Sequence, residues 1–213
     1  MNILDGLESG EKYLLTVNGL DYAIELPFVR IPSGEKKLKI ASLNLVGQTR
    51  LNNDLGLLLA EKIRTTIPDL SRVAILTVVE KALQITQVAA QALGIDAVAV
   101  AYNRVKPHME PDFRPIIQIG SDSITSGSKF LALYERDLEL LAHAESVILI
   151  DDVVSTGGTF LGLADILEEV ARQKQREPLP VLGIFCVAVE GSTPPLLSAP
   201  VYSLANLPAP VAE

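Results

Sequence analysis

Val147-Ile148-Leu149-Ile150-Asp151-Asp152-Val153-Val154-Ser155-Thr156-Gly157-Gly158-Thr159 decides how this chain is read. Its first four residues are apolar and mostly β-branched, which predicts a strand buried on both faces. Asp151 and Asp152 mark where that strand leaves the core. The loop after them offers hydroxyls and unobstructed backbone N–H groups. It leads into a helical pattern carried by Leu163, Ile166, Leu167, Val170 and Ala171. Small donors at a helix start suit an anion, phosphate above all. The two carboxylates accept hydrogen bonds from sugar hydroxyls or bind a hydrated Mg²⁺. Taken alone, an acidic pair can be a solvated turn and Gly-Gly a tight bend. Taken in unbroken order, the features point to a phosphorylated sugar.

Working outward, Val73 to Val79 and Ala97 to Ala101 predict buried strands, and residues 181–189 another. Helical patterns lie between them: Leu55, Leu58, Leu59 and Ile63 closing at Pro68-Asp69; Ile85, Val88, Ala89, Ala92 and Leu93 ending at Gly94; then residues 137–144 and 159–172. Strands alternating with helices predict an α/β fold, a mostly parallel sheet wound on both faces, with ligands at the carboxyl ends of the strands. Ahead of it, residues 13–17 and 22–26 flank Asn18-Gly19, a hairpin signal, and residues 36–40 predict a third short strand. Together they form a small β-rich hood. The prolines between positions 194 and 210 predict an irregular surface path.

The turn Glu80-Lys81-Ala82 after the first core strand places a cation and a new helix start at the same sheet end. A surface Glu-Lys pair capping a helix is the plainer reading of that turn alone. Residues 102–134 interrupt the α/β rhythm with charged and turn residues around two β-like runs, which reads as a lid.

The chain has 213 residues, 48% of them hydrophobic, which is enough for one domain with a full core; the net charge of −8 disfavours nucleic acid and anionic membranes as partners. Cys186 is the one cysteine and His108 and His143 the only histidines, with no HExxH or Cys/His cluster. Neither the Walker A spacing nor GxGxxG occurs. With no signal-peptide pattern and no apolar run long enough to span a bilayer, a cytoplasmic protein is expected.

The run Asp151 to Thr159 resembles the phosphoribosyl-pyrophosphate (PRPP) signature of the type I phosphoribosyltransferases. Pro27-Phe28-Val29-Arg30, the Glu80-Lys81 turn, Arg104 and Lys106-Pro107, and Ala188-Val189-Glu190-Gly191 resemble adenine phosphoribosyltransferase and its close relatives. The resemblance implies one phosphoribosyltransferase domain over residues 1–213, with the hood in 1–50, the α/β core in 51–213 and a flexible hairpin lid in 102–134. It implies transfer of ribose 5-phosphate from PRPP to a purine, adenine first, with Mg²⁺ as cofactor and a homodimer as assembly. In that scheme Asp151 and Asp152 hold ribose and metal, and Arg104 and Lys106 join them as catalytic residues. Val153, Val154, Ser155, Thr156, Gly157, Gly158 and Thr159 bind the 5-phosphate side. Glu80, Lys81 and Ala82 meet the pyrophosphate, and Phe28 and Arg30 serve substrate from the hood. The chain departs from the family pattern at Arg104-Val105-Lys106, where an adjacent Arg-Lys pair is usual, and at Leu83, where glycine is more usual. The first departure keeps a second reading open: a regulatory PRPP or nucleotide sensor of the same fold.

Overall fold

The computed structural model describes residues 8–33, 36–104, 117–119 and 131–213. Its centre is a five-stranded, wholly parallel sheet in the order β10-β9-β8-β4-β5. These strands are β4 (Val73–Val78), β5 (Ala99–Ala101), β8 (Ser146–Val154), β9 (Val181–Glu190) and β10 (Val201–Leu207). β8 is the middle strand, and its alternation serves two cores. Ile148 and Ile150 face helices α1 (Thr49–Thr66) and α2 (Leu83–Leu93), while Val147 and Leu149 face α3 (Glu135–Ala142) and α4 (Gly158–Gln173). All four are buried, each worth about 1.5–3 kcal/mol of apolar transfer, so the strand is fixed from both sides.

α1 and α2 approach closely because Gly56 has no side chain. A Cβ there would meet the Val88 Cβ at 2.6 Å. Gly94 ends α2 in the left-handed region at φ 73°, with its N–H bonded back to Ala90 and Gln91, as the sequence predicts. At the far end of α3, the Arg176 guanidinium donates to the carbonyls of Leu141 and Ala142 and to that of Ala144 just beyond, which ties the chain after α4 to the end of that helix.

The hood is a second sheet, β1 (Glu8–Leu15), β2 (Ile24–Ser33), β3 (Lys36–Ala41) and β11 (Val211–Ala212), antiparallel throughout and in the order β1-β2-β3-β11. Two expectations are corrected here. Asn18-Gly19 does form a turn, but the paired strands stop at Leu15 and resume at Ile24, because Val17 is drawn into the core and the connection must be longer. The proline-rich tail is irregular at residues 194–200 and 208–210, as expected, but not between them. Residues 201–207 lie between Pro200 and Pro208, are free of proline, and pair in register with β9 as the sheet's edge strand. From β10 the chain crosses directly to β11, so the last residues tie the hood to the core sheet.

Of the expected lid, residues 102–104, the antiparallel pair β6 (Ile117–Ile119) and β7 (Leu131–Leu133), and Tyr134 are described; Lys106 and the rest of that excursion lie outside the described residues. Among the described residues, no helix is long and apolar enough to cross a membrane.

Candidate active site

The carboxyl ends of β4, β5 and β8 surround a cavity of about 370 Å³ lined by Glu80, Lys81, Asn103, Asp151, Asp152 and Thr159 among others. A second cavity of about 290 Å³ opens beneath the hood, between Ile31, Leu38, Ile40 and Leu43 on one side and Val153 and Glu190 on the other. Lys81, Asp152 and Val153 line both, so the two spaces adjoin.

Each side chain is placed by the sheet. Asp151 and Asp152 are the last polar steps of β8 and are largely buried, at 7% and 9% exposure. The Asp152 N–H donates to the Asp151 carboxylate at 2.8 Å, which holds the pair in one orientation. The turn after β4 carries a cis peptide between Val79 and Glu80. From that turn Lys81 Nζ reaches the Leu43 carbonyl at 3.4 Å and stands 4.0 Å from Asp152 Oδ2. Beneath the acidic pair Cys186 is buried, and burial pushes its thiol up to about 12, so it is no nucleophile at neutral pH.

The loop after β8 makes the helix start predicted for it. Gly157 sits in the left-handed region at φ 82°, and its carbonyl takes the first N–H groups of α4, from Phe160 and Leu161. A Cβ added at Gly157 would lie a tight 3.2 Å from the Leu197 side chain, but it is the left-handed backbone that favours glycine here. Parallel pairing of Val154 with Val189 brings the next residues of β8 and β9 side by side, and Ser155 Oγ donates to Glu190 Oε2 at 2.5 Å.

The phosphoribosyl transferase domain family matches residues 47–208. This chain belongs to that family. As a phosphoribosyltransferase its enzyme class is set, and its sheet order with an antiparallel hood is the type I fold. Solved structures share that fold. The adenine phosphoribosyltransferase of Thermoanaerobacter pseudethanolicus aligns over 84% of this chain and 95% of its own, with TM-score 0.55 and 16% identity. The Trypanosoma brucei adenine phosphoribosyltransferase, solved with AMP, pyrophosphate and ribose-5-phosphate, aligns over 79% and 70%, with TM-score 0.53 and 14% identity. That of Leishmania tarentolae aligns over 76% and 73%, with TM-score 0.51 and 15% identity. No curated protein sequence matches this phosphoribosyltransferase.

Set against the sequence expectations, the structure brings Glu80, Lys81, Asp151, Asp152, Val153 and Thr159 around the first cavity and Ser155 and Thr156 to the second. Ala82 caps α2 and is buried, and Val154 points into the core. Arg104 is exposed just past Asn103, and Asn103 is the residue that lines the cavity there. Phe28 and Arg30 are not brought to the site. They share one face of β2, where Lys39 Nζ lies 4.8 Å over the Phe28 ring and Arg30 pairs with Glu213 at 2.5 Å. Ile31, on the opposite face, lines the cavity beneath the hood. Sequence reading missed Ile31, Leu38, Ile40 and Glu190 as site residues. The one available signal was alternation in β3, where Lys39 between Leu38 and Ile40 marks two different faces.

Proposed function

We propose that this phosphoribosyltransferase moves ribose 5-phosphate from PRPP to a purine, adenine first. The observation that carries the reading is the adjacency of the two cavities, which share Lys81, Asp152 and Val153 as walls. The polar half suits a charged phosphosugar. The half beneath the hood is walled by Ile31, Leu38, Ile40 and Leu43 and suits a flat, weakly polar ring.

In this reading Asp151 and Asp152 accept from the ribose hydroxyls. The loop from Ser155 to Thr159 receives the 5-phosphate at the start of α4, and Glu80, Lys81 and Ala82 receive the pyrophosphate at the start of α2. A C–N bond to the base replaces the C–O bond to pyrophosphate at the anomeric carbon. The developing cation lies close to the buried carboxylates, which favour positive charge there.

The donor set also fits Mg²⁺ arriving with substrate. Among the described residues lining the two cavities, Lys81 is the one cation against the carboxylates of Glu80, Asp151, Asp152 and Glu190. A polyanionic ligand entering such walls needs a countercharge. Asp151 and Asp152 are the residues that would hold Mg²⁺, which would supply countercharge to the pyrophosphate.

Purified protein given PRPP and Mg²⁺ should release pyrophosphate with adenine faster than with hypoxanthine or guanine. Tight PRPP binding with no release for any purine would overturn transfer and leave the sensor reading in its place.

A further inference from the structure

The phosphate loop contains a contact that works against phosphate. Ser155 has a single O–H, and it donates to Glu190 Oε2 at 2.5 Å. A phosphate dianion is an acceptor. While the hydroxyl points at Glu190, Ser155 presents only lone pairs to an incoming phosphate oxygen. The Glu190 carboxylate adds a like charge at the edge of the cradle, and Glu190, Ser155 and Thr156 line the same cavity. The nearest described cation of the site, Lys81, is turned toward Leu43 and Asp152.

We propose that Glu190 is a latch on the phosphate loop, a specificity-determining residue that withholds the Ser155 hydroxyl until a phosphoribosyl ligand takes it over. The proposal rests on reading Ser155 to Thr159 as the 5-phosphate cradle. A free phosphate gains only the loop and must meet the Glu190 charge. A phosphorylated ribose also engages Asp151 and Asp152, and that added binding turns the Ser155 hydroxyl from Glu190 to the ligand. The latch thus raises the preference for the whole phosphoribosyl group over inorganic phosphate. Glu190 is placed for this by strand register, since the Val154–Val189 pair fixes it beside Ser155.

The test is a double-mutant cycle read by titration calorimetry with ribose 5-phosphate, inorganic phosphate and pyrophosphate on the full chain. Glu190→Gln keeps the shape and removes the charge. It should tighten inorganic phosphate about tenfold, the order expected for one like charge near a partly solvated anion, and ribose 5-phosphate by less, about threefold, so that the preference between the two narrows. Pyrophosphate, bound at the turn after β4, should gain less than about threefold. Ser155→Ala should cost inorganic phosphate more in the Glu190→Gln background than in the wild type, because a neutral amide holds the hydroxyl less tightly than the carboxylate does. A purely structural role for Glu190 would shift melting temperature and all ligands alike. Should Glu190→Gln fail to fold, Glu190→Asp withdraws the carboxylate by one methylene and should move affinity in the same direction. No tightening in either variant, additive Ser155 effects, or no binding of ribose 5-phosphate by any variant would overturn the latch. Tightening without pyrophosphate release from PRPP and any purine would leave the latch standing and remove the purine-transfer reading.

Discussion

The two halves of the site are built by different rules. The polar half comes from the ends of neighbouring strands in one parallel sheet, so the register of β4, β5 and β8 delivers Glu80, Asn103 and Asp151 to one place. The half beneath the hood is assembled between two sheets: Ile31 and Leu38 come from β2 and β3, Glu190 and Leu207 from the ends of β9 and β10, and Pro210 from the crossing to β11. Positions in the first half are fixed by the core that folds the protein. Positions in the second depend on how the hood docks. Changes in the first should therefore act on phosphorylated ligands and changes in the hood residues of the second on the base, while Ser155, Thr156 and Glu190, at the seam between them, bear on the 5-phosphate.

The largest effect should come from Gly157→Val. A β-branched residue at φ 82° is strained, and its Cβ would press on Leu197 and Pro194. We expect ribose 5-phosphate affinity to fall by more than about 100-fold, the equivalent of about 2.7 kcal/mol, with some loss of thermal stability. Calorimetry beside a melting curve checks both. Next comes Asp152→Asn, which removes a charged acceptor from the polar half. Loss of a charge-assisted hydrogen bond is worth about 1.5–3 kcal/mol, so PRPP with Mg²⁺ should bind about 10- to 150-fold more weakly. Unchanged affinity in both variants would detach the phosphosugar from this half of the site.

The comparison is sharpened by a pair of hood variants on opposite faces of the same sheet. Leu38→Ser removes an apolar wall of the hood cavity and should raise KM for the base several-fold, by about 3- to 10-fold, with PRPP affinity held within about twofold. Phe28→Leu, on the other face under Lys39, should alter KM by less than about twofold. The reverse ranking in a steady-state assay would mean that the hood turns its other face to the base.

This division also explains what could be read from the chain. The apolar run of β8, its acidic end and the Gly157 turn are contiguous, and every step has a local cause: burial, carboxylate placement, a positive φ. That made the fold and the polar half legible. Ile31 and Phe28 are three residues apart in one strand, and which of them meets the base depends on the face that the hood presents to the core. Local alternation alone does not decide it. Glu190 became part of the site through register with Ser155, 35 residues away. β10 was hidden by its flanking prolines, which mark its ends rather than forbid a strand.

The smallest effect tests the tie between the halves. β11 returns from the core sheet to β3, its backbone joined further by Glu213 N–H donating to the Lys37 carbonyl, and the Glu213 carboxylate takes the Arg30 guanidinium of β2 at 2.5 Å. That bond to Arg30 holds the Glu213 carboxyl below its ordinary range. A carboxylate with a depressed folded pKa contributes stability above its unfolded value, near 4.3, and loses it as pH falls through the lower folded value. The pair is more than one third exposed on both sides, so solvent screens it and its share of global stability is small. Glu213→Gln should therefore lower the melting temperature at pH 7 by no more than about 2 °C, with the difference from wild type shrinking as pH falls through the lowered folded value. Its sharper signature lies in function. Because the tie sits on the hood, KM for the base should rise slightly, by about twofold or less, while ribose 5-phosphate affinity stays put. An equal loss for both ligands would show that the hood and the phosphate loop move as one piece, and the contrast between the two halves would then end at this strand.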